Sequence, residues 1–301
     1  MPIFGRLAPV SQRITGDSGQ MIRGDAHDIA WRAPYAAADR IRKGQPVMTC
    51  IDLNSDLGEG FGPWAMGADA AMLDLVTSAN IACGGHAGDP DTMRTTLALA
   101  AARGVSVGAH PGYADPLGFG RRVIPMEPAA IANMVAAQTG ALIAVAALAG
   151  VRVGYVKPHG ALANLAADRR DVAEAIVAAV AAQPGGLAVL AISGTELEEA
   201  ARSAGVPVFS EIFADRAYLS TGRLVPRSRP DAMIHSAETA AARLLDFLDS
   251  GLMPVVDGPP IPLAAQSVCI HGDSPEAVEM ARLLRAALTA RGVTLAPFIG
   301  V

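Results

Sequence analysis

Clusters of ionisable and amide side chains follow six short apolar stretches of the sequence, and glycine or proline flanks nearly all of them. The clusters are IDLNSDLGEG, NIACGGHAGD, GAHPGYAD, VKPHGALAN, SEIFADRAY and CIHGD. They contain four of the six histidines in the chain. Histidine and carboxylate groups exchange protons near neutral pH, and lysine and arginine hold anions. Together these residue types could perform acid–base chemistry on a small anionic molecule.

Any one cluster could be structural, because a lone histidine or aspartate after a strand often caps a helix or closes a turn, as Asp89 and Asp273 could. Six such clusters together favour one shared active site. Its predicted catalytic residues are Asp52, Asp56, His110, Lys157, His159, Asp215, Arg216 and His271. Its predicted binding residues are Asn54, Glu59, Asn80, His86, Arg121 and Glu211.

Lys157 is one of only two lysines in a chain with 22 arginines. Its ammonium group is a point charge with an adjustable pKa, whereas a guanidinium is a rigid, permanently charged fork. We therefore expect a substrate carboxylate or phosphoryl oxygen as its partner. The alternative is a structural ion pair with one of the nearby acids.

Arginines are concentrated in two irregular segments. GFGRRV, residues 118–123, has the composition of an anion-binding lid or, alternatively, of a solvated basic turn. The longer segment at residues 215–230 contains Arg216, Arg223, Arg227 and Arg229. We expect at least one of these four arginines to face the active site.

Motifs for common cofactors and nucleophiles are absent from the sequence. There is no GxxxxGK[ST] phosphate loop, no GxGxxG after a strand, no GxSxG and no HExxH. A divalent metal held by His86, His110 and Asp52 is chemically possible, but the spacing of these residues is not specific. The sequence therefore does not predict a required metal.

Apolar strands alternate with helical segments seven times from residue 48 onward. The predicted helices cover residues 66–77, 89–103, 128–149, 170–182, 195–204, 234–249 and 275–291. Asp89, Pro90 and Gly104 fit the N-cap, the first position and the C-terminal left-handed position of the second helix. Such alternation predicts parallel strands, in a barrel or an open sheet. We favour a single (β/α)-barrel of about seven parallel strands, because the polar clusters come from strand ends around the whole ring.

The chain divides into two predicted regions. Residues 1–47 have mixed charge and no sustained hydrophobic period, which predicts an irregular N-terminal extension. This extension is either a true arm or the result of a start codon upstream of Met48, and both remain open. Residues 48–301 form the predicted catalytic barrel domain.

Composition limits the classes of partner. Hydrophobic residues make up 51% of the chain, the net charge is −5, and there is neither a basic run nor an uninterrupted apolar stretch of membrane-spanning length. Nucleic acid and membrane are therefore not expected as partners. The three cysteines lack CxxC spacing and are odd in number, which favours a reducing compartment, and we predict a cytoplasmic protein.

The motifs IDLNSDLGEG, SANIACGGHAGD, GAHPGY, GFGRR, VKPHGAL, EIFADRAY, RLVPRS and CIHGD resemble, in order, those of the LamB/YcsF family from about Met48 to the C-terminus. The resemblance implies a barrel of the glycoside hydrolase/deacetylase type and a complex with separate B and C subunits. It also implies a reaction in which 5-oxoproline is opened to L-glutamate with hydrolysis of ATP.

The resemblance suggests roles for the clustered residues. Lys157 and Arg216 would hold the substrate carboxylate and the transferred phosphoryl group. His110 and His159 would exchange protons with the ring, and an aspartate of the first cluster would orient water. Two other functions stay compatible with the sequence: a self-sufficient metal-dependent amidohydrolase or deacetylase, and a non-catalytic substrate-binding subunit.

Three positions depart from the family pattern. Ala163 replaces a tyrosine, Thr221 replaces an aspartate and Pro116 replaces an arginine. Loss of one aromatic ring and two charges could change the substrate shape that is accepted or the contacts between subunits.

Overall fold

The structure is a computed structural model that describes residues 49–272 and 276–300. Ten strands and eight α-helices lie within these two ranges. The strands are Cys50–Leu57 (β1), Ser78–Ala82 (β2), Ser106–His110 (β3), Val153–Val156 (β4), Ala188–Ile192 (β5), Val208–Phe213 (β6), Leu252–Met253 (β7), Ile261–Pro262 (β8), Ser267–Cys269 (β9) and Thr294–Leu295 (β10). The helices are Asp69–Leu73 (α1), Pro90–Arg103 (α2), Pro128–Ala149 (α3), Gly160–Asp168 (α4), Arg170–Ala181 (α5), Glu196–Ser203 (α6), Ala237–Ser250 (α7) and Ala277–Ala290 (α8).

Seven parallel strands close into a barrel. Strands β1 to β6 pair in sequence order, and β9 pairs with both β6 and β1, which completes the ring. The closure is visible at Asn54 of β1, which lies opposite Ser78 of β2 on one side and Cys269 of β9 on the other. The predicted barrel of seven parallel strands is confirmed.

The interior of the barrel is strongly polar along β1. Side chains alternate between the two faces of a strand, so Asp52, Asn54 and Asp56 share one face while Leu53 and Leu57 share the other. The polar three bond to groups across the barrel interior. The two leucines belong to the main hydrophobic core. The same strand therefore supplies apolar packing on its outer face and ionisable groups on its inner face.

Helix α2 begins and ends where the sequence predicts. Asp89 accepts hydrogen bonds from the backbone N–H groups of Asp91 and Thr92, and Pro90 occupies the first helical position. Gly104 ends the helix in the left-handed conformation, at φ 63°. Both local signals are therefore confirmed, and the capping role of Asp89 accounts for that residue.

Helix α3 is long and apolar enough, by length and composition, to cross a membrane. Its buried residues recur at steps of three and four, at Ile131, Val135, Thr139, Leu142 and Ala146. This spacing marks one face of a helix, and the apolar members of that face belong to the main core. The pattern is the one expected for an outer helix of a barrel.

The helix predicted at residues 66–77 is much shorter, since α1 covers only Asp69–Leu73. Gly67 precedes it in the left-handed conformation, at φ 74°. Thr77 follows it and donates a hydrogen bond from Oγ1 to the buried carboxylate of Asp52, at 2.5 Å. Backbone geometry at one end and a tertiary contact at the other thus restrict this helix.

Helix α4 is not among the predicted helices, because the sequence reads GALAN as part of a polar strand end. The helix begins directly after His159, and Ala161, Leu162 and Ala166 are buried on its inner side. The short antiparallel pair of β7 and β8 is likewise not predicted. The other predicted helices match the observed ones to within three residues at each end.

The C-terminal segment covers the amino-terminal end of the barrel. Strand β10 pairs with Cys50 and Ile51 at the start of β1. Phe298 packs against Tyr155 and Phe209, with ring centroids 4.8 Å apart in both pairs. An apolar group of side chains therefore closes the barrel on the side opposite the strand carboxyl ends.

Some predictions fall on residues outside 49–272 and 276–300. They are the N-terminal extension at residues 1–47, the choice of Met48 as the start of the barrel domain, and the capping role of Asp273. All three stay predictions.

Candidate active site

A cavity of about 580 Å³ opens at the carboxyl ends of the barrel strands. Its volume lies within the range of roughly 300–1,000 Å³ that is usual for small-molecule sites. The predicted site residues that line it are Asp56, His110, Arg121, Lys157, His159, Glu211, Arg216 and His271. Polar clusters separated by more than 200 residues in the sequence therefore meet around one space.

The remaining predicted site residues are buried and do not line this cavity. They are Asp52, Asn54, Glu59, Asn80, His86 and Asp215. Each bonds to a residue of the cavity wall or belongs to the layer of side chains next to it, so each acts on the cavity through its neighbours.

Asp52 lies deepest in the barrel. Its carboxylate accepts hydrogen bonds from the hydroxyls of Thr77, Ser78 and Ser267. Burial raises its pKa to about 6, although these hydroxyls oppose the shift. Two expectations for Asp52 need correction: it does not reach the cavity to orient water, and it is not part of the group of side chains that could hold a metal.

A layer of amides lies between Asp52 and the cavity floor. Asn54 Nδ2 donates to Glu211 Oε1 at 2.8 Å, and Asn80 Nδ2 donates to Asn54 Oδ1 at 2.7 Å and to Asp56 Oδ1 at 2.8 Å. The hydroxyl of Tyr155 donates to Asn80 Oδ1 at 2.7 Å. This network fixes the two carboxylates, Asp56 and Glu211, that form part of the floor.

Lys157 forms the structural ion pair that the sequence leaves as the alternative. Its Nζ lies 2.9 Å from Asp56 Oδ1 and 2.9 Å from Glu211 Oε1, and it also donates to Asn54 Oδ1 at 3.2 Å. Burial opposes the charge, but the neighbouring acids outweigh it and hold the pKa of Lys157 well above its usual value. The ammonium group therefore already has two anionic partners, and its predicted role in holding a substrate anion stays a prediction.

Asp56 connects Lys157 to the histidines. Its Oδ2 lies 3.3 Å from His110 Nε2, while His110 Nδ1 contacts the carbonyl oxygen of Lys157 at 2.7 Å. Burial opposes ionisation of Asp56, but the charges of His110 and Lys157 outweigh it and hold its pKa well below the usual range. Asp56 is therefore an anion at the cavity floor.

Glu59, His86, His110 and His159 form a second buried group, here called the histidine group. One ligand atom from each lies within 4.8 Å of all the others, so together they could hold a metal ion. His86 Nε2 lies 3.2 Å from Glu59 Oε1, and the rings of His86 and His159 stack with centroids 3.6 Å apart. Burial, together with the neighbouring imidazoles, lowers the pKa of both rings well below the usual value. Both imidazoles are therefore neutral at pH 7.

Asp215 and His271 form an acid–histidine pair at the cavity wall. Asp215 Oδ2 lies 2.7 Å from His271 Nδ1, and Arg227 Nη2 donates to His271 Nε2 at 2.9 Å. Because arginine can only donate, Nε2 carries the lone pair and Nδ1 carries the proton. Burial opposes ionisation of Asp215, but His271 outweighs it and lowers the pKa of Asp215. An imidazole so oriented, with the Nε2 lone pair toward the cavity, is suited to accept a proton.

Three of the four arginines at residues 215–230 line the cavity, namely Arg216, Arg223 and Arg227. The guanidinium of Arg216 is buried and donates to the backbone carbonyls of Val225 and Ala232. Burial, aided by the nearby charge of Arg227, lowers the pKa of Arg216 to about 10, so it is still a cation at pH 7. Arg229 instead pairs with Asp231 at the surface. The expectation that at least one arginine faces the site is confirmed.

The two arginines of GFGRRV behave differently. Arg121 lines the cavity, with its guanidinium carbon 4.9 Å from the ring centroid of Phe119. Arg122 points to solvent and pairs with Asp115, with Nε 2.9 Å from Oδ2. One arginine therefore contributes to the cavity, and the other belongs to a solvated turn.

Sequence reasoning missed two features of this region. The fifth strand and the loop after it line the cavity with Leu190, Ile192 and Thr195, which carry no charge; their position at a strand end was the available signal. Phe119 adopts a positive φ of 52°, and its carbonyl accepts a hydrogen bond from His159 Nε2 at 2.8 Å. Its place between two glycines was the only sequence hint.

Two of the three departures from the family pattern fall on the cavity. Ala163 and Thr221 both line it. Pro116 begins the short 3₁₀ turn Pro116–Gly118, and the side chain of Asp115 accepts a hydrogen bond from the backbone N–H of Gly118. The substituted positions Ala163 and Thr221 can therefore influence which molecule the cavity accepts.

Cysteine chemistry does not contribute an obvious nucleophile. Cys50, Cys83 and Cys269 are all free thiols, in agreement with the absence of a predicted disulfide. Burial raises the pKa of Cys83 to about 12 and the pKa of Cys269 well above its usual value. Both buried residues are therefore protonated thiols at pH 7 and are poor nucleophiles.

Comparison with known proteins places the chain among close relatives. Residues 51–301 match the model of the LamB/YcsF family. A protein from Nocardia farcinica (strain IFM 10152), named as the A subunit of 5-oxoprolinase, is 56% identical over 249 residues, which cover 83% of this chain and 99% of the relative. A protein of the same name from Rhodopseudomonas palustris (strain BisB18) is 52% identical over 254 residues, covering 84% of this chain and 100% of the relative.

A solved structure shares the fold. The crystal structure of a lactam utilization protein from Thermus thermophilus superimposes with a TM-score of 0.78 at 43% sequence identity. The match covers 83% of this chain and 100% of that chain. The barrel is thus common to both proteins over the whole length of the solved one.

Proposed function

Because the chain belongs to the LamB/YcsF family, we propose that it is the A subunit of a 5-oxoprolinase, a hydrolase that opens the lactam ring of 5-oxo-L-proline to give L-glutamate. Two relatives that carry this name are more than half identical to it over nearly their whole length. The proposal includes B and C subunits as partners in the cytoplasm and ATP as the co-substrate of the complex.

The observation that carries the proposal is the Asp215–His271 pair beside cavity-lining arginines. Opening a lactam requires a base for the attacking water and cations for the anionic substrate. His271 Nε2 carries a lone pair at the cavity wall, since Nδ1–H is held by Asp215 at 2.7 Å. The buried cation Arg216 lies in the same wall. The cavity wall therefore supplies both the base and the cation that lactam opening requires.

The chemistry explains why ATP would be consumed. A five-membered lactam is stabilised by amide resonance, and transfer of a phosphoryl group to its oxygen turns that oxygen into a leaving group. Water then attacks the ring carbon while His271 Nε2 takes its proton, and Asp215 stabilises the resulting imidazolium. The carbon–nitrogen bond then breaks, the nitrogen takes up a proton to become the amine, and the carbonyl re-forms as an acyl phosphate. A second water hydrolyses this acyl phosphate to the carboxylate of L-glutamate and inorganic phosphate.

Substrate charge and base activation are coupled through Arg227. In the free protein Arg227 donates to His271 Nε2, which occupies the lone pair that the reaction needs. A substrate carboxylate bound by Arg227 competes for this guanidinium and so releases the base. The carboxylate oxygens Glu211 Oε2 and Asp215 Oδ1 are buried without a hydrogen-bond partner among the described residues. Of the two residues, Glu211 lines the cavity, so Glu211 Oε2 is the candidate acceptor for the lactam N–H.

The test measures the rate at which the chain, reconstituted with the B and C subunits and supplied with ATP, forms glutamate from 5-oxoproline. We expect His271→Ala to lower kcat by about 10²–10⁴-fold, the usual contribution of a general base. Asp215→Asn should act in the same direction, because it removes the group that orients the imidazole. His235→Ala, which changes an exposed histidine outside the cavity, is the matched control.

The same assay separates the rival functions. A self-sufficient metal-dependent amidohydrolase would turn over substrate without the B and C subunits or ATP and would stop after chelation. A non-catalytic binding subunit would support normal turnover when His271 is replaced by alanine. Either result would contradict the proposed role of this chain.

A further inference from the structure

Four donor side chains from four neighbouring strand ends converge in the histidine group next to the cavity. Glu59 follows β1, His86 follows β2, His110 ends β3 and His159 follows β4. All four are buried, and His110 and His159 also line the cavity. We propose that the histidine group binds one divalent transition-metal ion, a site that goes beyond the proposed function and does not depend on it.

The spacing of the donor atoms fits such an ion. Around tetrahedral Zn²⁺, with bonds of about 2.0–2.1 Å, neighbouring ligand atoms lie about 3.3 Å apart. His110 Nε2 lies 3.0 Å from His159 Nδ1, and Glu59 Oε1 lies 3.2 Å from His86 Nε2 and 3.8 Å from His159 Nδ1. Shifts of a few tenths of an ångström would bring these contacts to ligand spacing. Three imidazoles and one carboxylate are also a donor set that suits first-row divalent metals.

The outer nitrogens of two imidazoles are already held as in a metal site. His110 Nδ1 lies 2.7 Å from the carbonyl oxygen of Lys157, and His159 Nε2 lies 2.8 Å from the carbonyl oxygen of Phe119. Both nitrogens must therefore carry hydrogen, because a carbonyl only accepts. In the neutral ring of His159 this leaves the lone pair on Nδ1, which faces His110 Nε2 at 3.0 Å. Metal-bound histidines typically hold their second N–H in this way, so both rings turn their other nitrogen toward a shared centre.

His86 needs one adjustment to act as a ligand. Its ring is nearly parallel to that of His159, at an interplanar angle of 6°, so the two lone pairs do not yet point to one centre. His86 Nδ1 is buried and has no hydrogen-bond partner in the described part of the chain. Rotation of this ring about the Cβ–Cγ bond therefore breaks no hydrogen bond at Nδ1.

The backbone of the loop over the histidine group is strained at Phe119, the residue whose carbonyl would orient His159. Phe119 has φ 52°, an unusual value for a residue other than glycine. This conformation accompanies the contact of its carbonyl with His159, and its ring lies edge-on to His86 and His159, with centroids 5.5 and 5.3 Å away. Strained backbone is retained where the surroundings require it, and here it fixes the orientation of a donor. The proposal replaces the proton-exchange role predicted for His110 and His159 with ligation.

The test is metal binding by the purified full-length chain after treatment with a chelator and dialysis. We expect the protein to take up one equivalent of Zn²⁺, measured by elemental analysis. Co²⁺ alone should produce visible absorption bands of a site with nitrogen ligands, and either ion should raise Tm. Loss of an outer hydrogen bond typically weakens metal affinity by about 10–100-fold, and loss of a ligand should weaken it at least as much. We therefore expect Glu59→Gln and His86→Ala, which each alter a ligand, to lower the affinity for Zn²⁺ by at least this factor. His235→Ala should bind like the unaltered chain.

Two results would overturn the proposal: no uptake by the unaltered chain, or equal affinity of His86→Ala and His235→Ala. If a variant fails to fold, X-ray absorption of the Zn²⁺-loaded unaltered chain decides instead. Three imidazole ligands are expected, and one or none would contradict the site. These measurements use neither 5-oxoproline nor the partner subunits, so their failure is distinguishable from failure of the proposed enzymatic function.

Discussion

Two aspartates of one strand face show how strongly position controls ionisation. Asp52 and Asp56 both point into the barrel, and both are buried. The hydroxyl groups that bond to Asp52 do not offset burial, which raises its pKa to about 6. Asp56 meets His110 and Lys157, whose charges outweigh burial and lower its pKa. Asp56 lies four residues nearer the cavity than Asp52 on the same strand. Its carboxylate is stabilised as an anion, whereas that of Asp52 is destabilised.

We predict that Asp52 makes stability depend on pH. Its folded pKa of about 6 exceeds the unfolded value of 3.8, so the folded chain holds the proton more tightly. The stability that protonation provides is complete below pH 3.8 and is lost as pH rises through 6, by on the order of 3 kcal/mol. Asp52→Asn should remove this loss. In urea unfolding, the variant should gain on the unaltered chain by that amount between pH 3.5 and pH 7.5.

Asp246→Asn is the control, since it removes an exposed carboxylate on an outer helix. Its free energy of unfolding should differ from that of the unaltered chain by nearly the same amount at both pH values. A difference for Asp52→Asn that does not change with pH would show that this carboxylate ionises normally in the fold.

At the scale of elements, Asp89 joins a helix to the loop after the first strand. One carboxylate oxygen accepts the N–H groups of Asp91 and Thr92 at the start of α2, and the other accepts the N–H of Gly62 at 2.7 Å. These bonds lower the pKa of Asp89 to about 2, led by the bond from Thr92. The cap therefore also anchors the loop that carries Glu59.

We predict that Asp89→Ala destabilises the fold by about 1 kcal/mol, the typical cost of an N-cap that loses its side-chain acceptor. Urea unfolding measures this loss, and amide exchange at Gly62 should accelerate because its acceptor is gone. Asp91→Ala is a matched control, since Asp91 is exposed in the same helical turn and is not the N-cap. Equal losses in the two variants would mean that charge at the helix start, and not the cap, determines stability.

At the scale of the whole molecule, the barrel has one open end and one closed end. The cavity lies at the strand carboxyl ends, and the polar layers of the interior lie beneath it. At the other end Phe298 packs on Tyr155, whose hydroxyl bonds to Asn80 in the middle layer. The apolar plug thus supports the same network that positions Asp56 and Glu211.

We predict that Phe298→Ala lowers the free energy of unfolding by about 2 kcal/mol, roughly half the cost for a fully buried phenylalanine, because Phe298 is half-buried. Urea unfolding of the variant provides the measurement. Leu148→Ala, at a side chain that is 75% exposed on an outer helix, should have almost no effect. If both variants unfold like the unaltered chain, the C-terminal segment does not contribute to closing the barrel.

Local signals in the sequence were sufficient for the architecture. Alternation of apolar strands with helices predicts parallel pairing, because each crossover must return the chain to the same edge of the sheet. Asp89, Pro90 and Gly104 mark a helix by groups that act within a few residues of one another. The polar clusters at strand ends likewise predict a common mouth, since parallel strands place all their carboxyl ends on one side. These features depend on chain-local geometry, which the sequence determines directly.

Only the tertiary structure decided which side chains form ion pairs and hydrogen bonds with one another. Lys157 meets Asp56 and Glu211, which lie 101 and 54 positions away in the sequence, and this pairing places its ammonium group in the cavity floor. The depth of Asp52, the tautomer of His271 and the convergence of the histidine group follow in the same way from strand register and rotamers. A hydrogen bond requires placement to a few tenths of an ångström, and that placement results from closure of the whole barrel.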